Sequence, residues 1–202
     1  ILKEKLFLQM IGFMSYRGSV QMSEILREQV ETLLNYKLAE IKSLNSFQTY
    51  LDALSYPLYE SVVAEEKKFA LQLAIDFPKI SNLEQEKRIN LYIKKFEWLS
   101  FHWFIGTPLT KGQIRDRLVK LATNAKQNLS NIKTEQKKNE NDVKKFVQKL
   151  KFNTAEKLLL KQYRSWLFLR TFVKDNINEA AFKLLPILHT IADAKQIDRK
   201  LI

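Results

Sequence analysis

Only four glycines and four prolines interrupt 202 residues. That scarcity constrains the fold more than any other feature of the chain. Sandwiches, barrels and Gly-rich nucleotide-binding α/β folds need many tight turns, built from residues that adopt positive φ or preset it. A chain poor in both is expected to fold as helices joined at few points. Cysteine is absent, which excludes disulfide frameworks, thiolate zinc sites and cysteine nucleophiles. The two histidines, His102 and His189, are too far apart in sequence to suggest a multi-histidine metal site. With 46% apolar and 28% charged residues, the chain can bury a core beneath a charged surface. We therefore expect one all-α domain over residues 1–202.

Apolar periodicity places the helices. Residues 1–14 read as helix, and Tyr16-Arg17-Gly18-Ser19 is expected to break it. Ser19 would then cap a helix to about Lys42, with Ile25, Leu26, Val30, Leu33 and Leu34 on one face. Asn45-Ser46 offers a cap for a short helix carrying Phe47, Tyr50, Leu51 and Leu54, which Pro57 ends. A helix from about Ser61 to Ile75 holds the acid pair Glu65-Glu66 near its positive end. Pro78 stops it, and Ser81-Asn82-Leu83-Glu84 resembles a capping box. That box opens an aromatic helix with Tyr92, Phe96, Trp98 and Trp103, closed by a turn at Gly106-Thr107-Pro108. Thr110 caps a helix with Ile114, Leu118 and Leu121, and residues 125–151 are long, polar and basic. Residues 109–151 are expected to form a protruding polar helical hairpin. Asn153-Thr154 caps a further helix, and a last one runs through Ala180, Leu184 and Leu188 with a kink at Pro186. The expected architecture is an irregular bundle of about eight helices.

The formal net charge of +12 is unevenly placed. Residues 1–100 hold 13 Lys/Arg against 13 Asp/Glu, and residues 101–202 hold 21 against 9. Such an excess suits an acidic partner surface or a nucleic acid. The longest uncharged apolar stretch, Trp98–Thr110, is shorter than the roughly 20 residues of a membrane span. Ile1-Leu2-Lys3-Glu4-Lys5-Leu6-Phe7 mixes charges into its apolar run and is not a signal peptide. We expect a cytoplasmic chain, excerpted from something longer and beginning inside a helix.

Few residues invite chemistry. The four glycines stand alone, so no phosphate loop forms, and no serine sits in a nucleophile elbow. No catalytic, cofactor or metal residue is assigned to this chain. His102 and His189 read as structural histidines, each with one satisfied nitrogen. Trp98 and Trp103, with Tyr92, Phe96, Phe101 and Phe104, could stack bases but at helical spacing read first as core. Lys133, Lys137, Lys138, Lys144, Lys145, Lys149 and Lys151 make a lysine-rich helix. Glu135, Glu140 and Asp142 interrupt that field, so it reads as a solvated face. Arg164 and Arg170 lie inside an aromatic helix, six positions apart and so on different faces. Arg170 is expected to meet a carboxylate from another helix or a phosphate-bearing partner domain. The candidate interface is thus Trp98, Trp103, Lys144, Lys145, Lys149, Arg164 and Arg170.

In order, these segments resemble the helical region of phosphoenolpyruvate-utilising enzymes, the phosphoenolpyruvate synthase and pyruvate phosphate dikinase group. Leu54-Ser-Tyr-Pro57 precedes an acid-bearing helix, Glu65-Glu66 to Leu73-Ala74. Tyr92-Ile-Lys-Lys-Phe96-Glu97-Trp98-Leu99 is similar to the family's "kY-x-Wl" element. Gly106-Thr-Pro-Leu-Thr110 follows, ahead of Ile114-Arg115-Asp-Arg-Leu118 and the long polar stretch. Leu169-Arg170-Thr171-Phe172-Val173-Lys174 and Ala180-Ala-Phe-Lys-Leu-Leu-Pro186-Ile-Leu-His-Thr-Ile-Ala192 complete the series, which covers about residues 45–198. The family pattern often has a second arginine where Val173 stands. The resemblance implies a non-catalytic helical linker or docking module lying upstream of a swivelling phosphohistidine domain. It also implies that ATP and Mg belong to other domains of the parent chain, and that those domains are the partners. The alternatives are a stand-alone helical ligand- or protein-binding module and a basic nucleic-acid-binding helical protein.

Overall fold

A computed structural model describes residues 2–41, 47–100 and 107–198, with side chains from Ile11 onward. Among these residues the fold is all-α: α1 (Leu2–Ile41), α2 (Phe47–Leu54), α3 (Val62–Ala74), α4 (Asn82–Phe96), α5 (Lys111–Ala122), α6 (Ala125–Lys149) and α7 (Thr154–Ala194). Two 3₁₀ turns, Phe77–Lys79 and Glu97–Ser100, complete it. The multi-helix bundle expected from the sequence is what forms.

Its spine is the antiparallel pair α1 and α7, with 40 and 41 residues, each about 60 Å long. Lys37 Nζ meets Glu156 Oε1 at 3.0 Å toward one end. Toward the other, a Cβ on Gly12 would lie 3.0 Å from Ile177 Cγ2, so this glycine lets the two helices approach closely. The break expected at Tyr16-Arg17-Gly18-Ser19 does not occur. A helical glycine costs about 1 kcal/mol, which packing along α7 offsets. Ser19 is no cap: it is buried and donates its hydroxyl to Tyr16 O at 2.7 Å, as Ser23 does to Val20 O. The two helices expected after Asn153 are likewise one. Between Phe172 and Ala180 no Gly or Pro interrupts the chain, and the polar Asp175 and Asn178 are buried on α7 rather than looped out. Pro186 does lie inside α7, where its carbonyl accepts the Thr190 hydroxyl at 2.9 Å.

Two cores flank the spine. Leu26, Val30 and Leu34 of α1 pack with Tyr50, Leu51 and Leu54 of α2. Val143 of α6, Phe152, and Leu160 and Tyr163 of α7 close this first core. The second gathers Leu71 of α3, Phe77, Ile89, Tyr92 and Phe96 of α4, and Ile114 and Leu118 of α5. Helix α6 joins them: Leu129 and Ile132 rest on the second core, Phe146 and Val147 on the first. The stretch 109–151 is helical as expected, but it does not stand clear of the body as a hairpin. Both α5 and α6 lie against α3, and α6 continues onto α2. The sparse apolar positions of α6 fall on one face, enough to seat a largely polar helix.

The caps follow the sequence. Ser61 and Ser81 accept the backbone N–H of Ala64 and Glu84. Thr110 with Gln113 and Asn153 with Glu156 form reciprocal capping boxes. Burial pushes the Glu156 carboxyl up, but the Asn153 N–H and the Lys37 ammonium together hold it below its ordinary range.

Candidate functional site

Pro57 cannot continue α2, so the chain leaves it through a turn and bends and crosses α7 over residues 55–61. Side chains of α7 hold that crossing. The Arg164 Nε donates to Tyr56 O at 2.6 Å, and Leu58 N donates to Arg164 O at 3.4 Å. The hydroxyls of Ser55 and Tyr163 are 2.9 Å apart, and the Tyr59 ring meets the Phe168 edge at 5.2 Å. Burial holds the Arg164 guanidinium below its ordinary range, against the pull of Glu140 and Tyr56. Arg164 thus acts as a clamp. Arg164→Met, which keeps the stem and loses the donor, is expected to cost about 1–3 kcal/mol and to speed proteolysis within residues 55–61. An unchanged cleavage rate there would show that the clamp does not hold the crossing.

A groove lies on each side of the clamp. One, of about 370 Å³, is lined by Tyr59, Glu60, Lys68, Gln136 and Glu140. Lys68 pairs with Glu60, and Gln136 donates to the same carboxylate at 2.9 Å. The other, of about 440 Å³, is lined by Glu24, Arg27, Asp52, Ser55, Tyr163 and Arg170. Arg27 is held by Glu31 at 2.7 Å. The two arginines of α7 do serve different surroundings, as their spacing requires. The carboxylate expected to pair with Arg170 does not: no ion pair to Arg170 forms among the described residues, although Glu24 and Asp52 line the same groove. Opposed charges in one cleft suit the mixed polar surface of a polypeptide better than a simple anion.

The other predicted residues are not gathered here. Trp98 is a core residue, 6% exposed, whose indole N–H donates to Lys95 O at 3.1 Å. It sits in a 3₁₀ turn rather than in the aromatic α-helix expected to run on to Trp103. Trp103 and His102 lie outside the described residues, as do the Asn45-Ser46 cap and Gly106 of the expected turn. His189 is half-buried on α7. Lys144, Lys145 and Lys149 are exposed on α6. Lys145 Nζ is 4.0 Å from Asp142, and Lys149 Nζ is 5.6 Å from the centre of the Tyr50 ring.

Two features had no expected counterpart. The first is a polar cluster joining α3, α4 and α5, built on the buried Glu66 and Tyr92 with the part-exposed Arg117 at its open side. Tyr92 donates its hydroxyl to Glu66 Oε1 at 2.6 Å. Arg117 donates to Tyr92 Oη and to Glu66 Oε2, each at 2.8 Å. Burial, then the Glu66 carboxylate, pushes the Tyr92 phenol above its ordinary range. The sequence did separate the acid pair, since adjacent helical residues face different ways. Glu65 indeed meets Lys95 at 2.6 Å on the surface, but no sequence signal pointed from Glu66 to Arg117.

The second is an apolar groove of about 420 Å³ between α1 and α7, lined by Ile11, Gly12, Phe172, Val173, Ile177 and Leu184. Of its lining residues, Ile11 of α1 and Phe172 of α7 are exposed, and Ile187 and Ile191 are exposed further along α7. The position where the resembled family often has arginine, Val173, lines this groove. A charge there would face an apolar wall.

Among the described residues no group of three or more His, Asp or Glu is placed to hold a metal ion. No described helix is long and apolar enough to cross a membrane. Comparison with protein-family models, with curated proteins and with solved structures returns no match.

Proposed function

We propose that this chain is a non-catalytic helical docking module of a phosphoenolpyruvate synthase-like phosphotransferase, one that positions a swivelling phosphohistidine domain. The observation that carries the reading is the apolar face of the α1/α7 spine. Apolar side chains of both helices line one groove, with Ile11 and Phe172 exposed at it, and exposed apolar surface marks a place where another surface docks. The occupant in this reading is a neighbouring domain of the same parent chain, and ATP and Mg act in that parent's other domains. The rigid spine, about 60 Å long, supplies the reach that a domain shuttling between sites requires. The α7 clamp over residues 55–61 fixes the bundle on the spine.

The coding sequence on either side of residues 1–202 tests this. A downstream strand-rich segment carrying a histidine flanked by Gly and Thr is expected. A start codon immediately before Ile1 together with a stop codon immediately after Ile202 would end the proposal. In the full-length protein, Phe172→Asp combined with Ile187→Asp is expected to slow phosphoryl transfer at least about 10-fold, the loss of a little over 1 kcal/mol of docking energy. The melting temperature should be unchanged, because both side chains are exposed. An undiminished transfer rate would remove the docking role from this face.

A further inference from the structure

We infer that the outward face of α6 binds duplex DNA through its phosphate backbone, independently of the docking role assigned to the α1/α7 spine. The sequence shows lysines interrupted by acids. The structure separates the two. At about 100° per residue, Lys133, Lys137 and Lys144 fall on one stripe of α6. Lys138, Lys145 and Lys149 fall on a second, about 120° away. All six are exposed, and only Lys145 has a carboxylate within reach among the described residues, Asp142 at 4.0 Å. Helical geometry puts Glu135, Glu140 and Asp142 outside the arc that the two stripes bound. Glu140 lines the groove beside α7, and Asp142 is half-buried.

Between the stripes runs a neutral ridge of Ser130, Thr134, Asn141 and Gln148, all exposed. The apolar residues of α6, from Leu129 to Val147, all turn inward onto the two cores. That distribution discriminates between partners. A protein interface needs a desolvated apolar or aromatic centre and is depleted in lysine; this face has no such centre and is rich in lysine. A single-stranded nucleic acid would want aromatic platforms, and the face has none.

A duplex needs neither. The major groove of B-DNA is about 12 Å wide and admits an α-helix, whereas that of A-form RNA is too narrow. A helix lying there would turn the neutral ridge to the groove floor and one lysine stripe to each flanking phosphate strand. The 25 residues of α6 extend about 37 Å, roughly one turn of DNA. The ridge carries short polar side chains rather than arginines, so binding should depend little on sequence.

The test is fluorescence anisotropy with a labelled 20-base-pair duplex of mixed sequence, titrated with the whole chain at several salt concentrations. Six phosphate contacts predict a slope of log affinity on log salt of about −5, and a loss of about 10³-fold between 50 and 200 mM salt. Lys133→Gln, Lys137→Gln and Lys144→Gln together should flatten that slope by about 3. Lys157→Gln with Lys161→Gln, exposed lysines of α7, should leave it nearly unchanged. Circular dichroism would confirm that each variant is helical, since none of these side chains is buried. An equal effect of the α6 and α7 variants would overturn the assignment. So would binding of polyglutamate, single-stranded DNA or duplex RNA as tight as that of the DNA duplex at the same salt.

Discussion

Glu66→Ala should lower the unfolding free energy by about 1–3 kcal/mol, a large effect for a polar side chain, because it strands a buried donor. Glu66 is 5% exposed and accepts hydrogen bonds from two partners on two other helices. Removing it leaves the Tyr92 hydroxyl, on a fully buried side chain, without its acceptor. It also leaves the Arg117 guanidinium facing the site without a counter-charge. The loss falls mainly on Tyr92, whose buried hydroxyl is left without an acceptor, because the Arg117 side chain is 41% exposed and can turn to water. Glu66→Gln keeps an acceptor and the shape, and should recover part of the loss. Equal destabilisation by Gln and Ala in urea unfolding would mean that volume, not polarity, makes the site.

The same cluster sets a pH dependence. Folding holds the Tyr92 proton above the ordinary phenol range, so the native state keeps a proton that the unfolded chain releases at about pH 10. Stability from this group is therefore fully present below about pH 10 and falls as pH rises through the folded value. Tyr92→Phe should lose about 1 kcal/mol at neutral pH and flatten the decline between pH 9 and 11. An identical alkaline decline in wild type and variant would rule out Tyr92 as its source.

Asn139→Pro should cost about 3 kcal/mol or more, because proline deletes a backbone hydrogen bond and clashes with the preceding turn in a helix interior. The position matters as much as the residue. Asn139 lies on α6 between Ile132, which packs on the second core, and Val143, which belongs to the first. Breaking α6 there removes the rigid element common to both. Thermal unfolding followed by calorimetry and by far-ultraviolet circular dichroism should then show two separate transitions. Ser130→Pro, nearer the N-terminal end of α6, serves as a comparison: it breaks the helix on the second-core side only. One coincident transition for Asn139→Pro would show that the remaining contacts among α3, α7 and the 55–61 crossing already couple the cores.

The sequence determined the helical class, and for a local reason. Too few Gly and Pro exist to make other turns, apolar residues recur at helical spacing, and Ser61, Ser81, Thr110 and Asn153 each cap a helix with the groups nearest to them. Capping is decided within one turn of chain, so it is legible in one turn of sequence. The divergence of Arg164 and Arg170 onto different faces, and of Glu65 from Glu66, followed from the same helical geometry. What failed were inferences that needed to know the neighbour. Gly18 reads as a break until α7 lies alongside, and the chain after Asn153 reads as two helices until Asp175 and Asn178 find a buried place. Residues 125–151 read as a solvated arm until their few apolar side chains meet two cores at once. The partner of Glu66 is 51 positions away on α5. The groove around Arg170 is walled by α1, α2 and α7, and the α6 lysines separate from their acids only once one face of the helix is fixed inward. These are contacts between distant parts of the chain, and only the tertiary structure chooses among them, because each is decided by surface buried against another element rather than by the conformational preference of the residue itself.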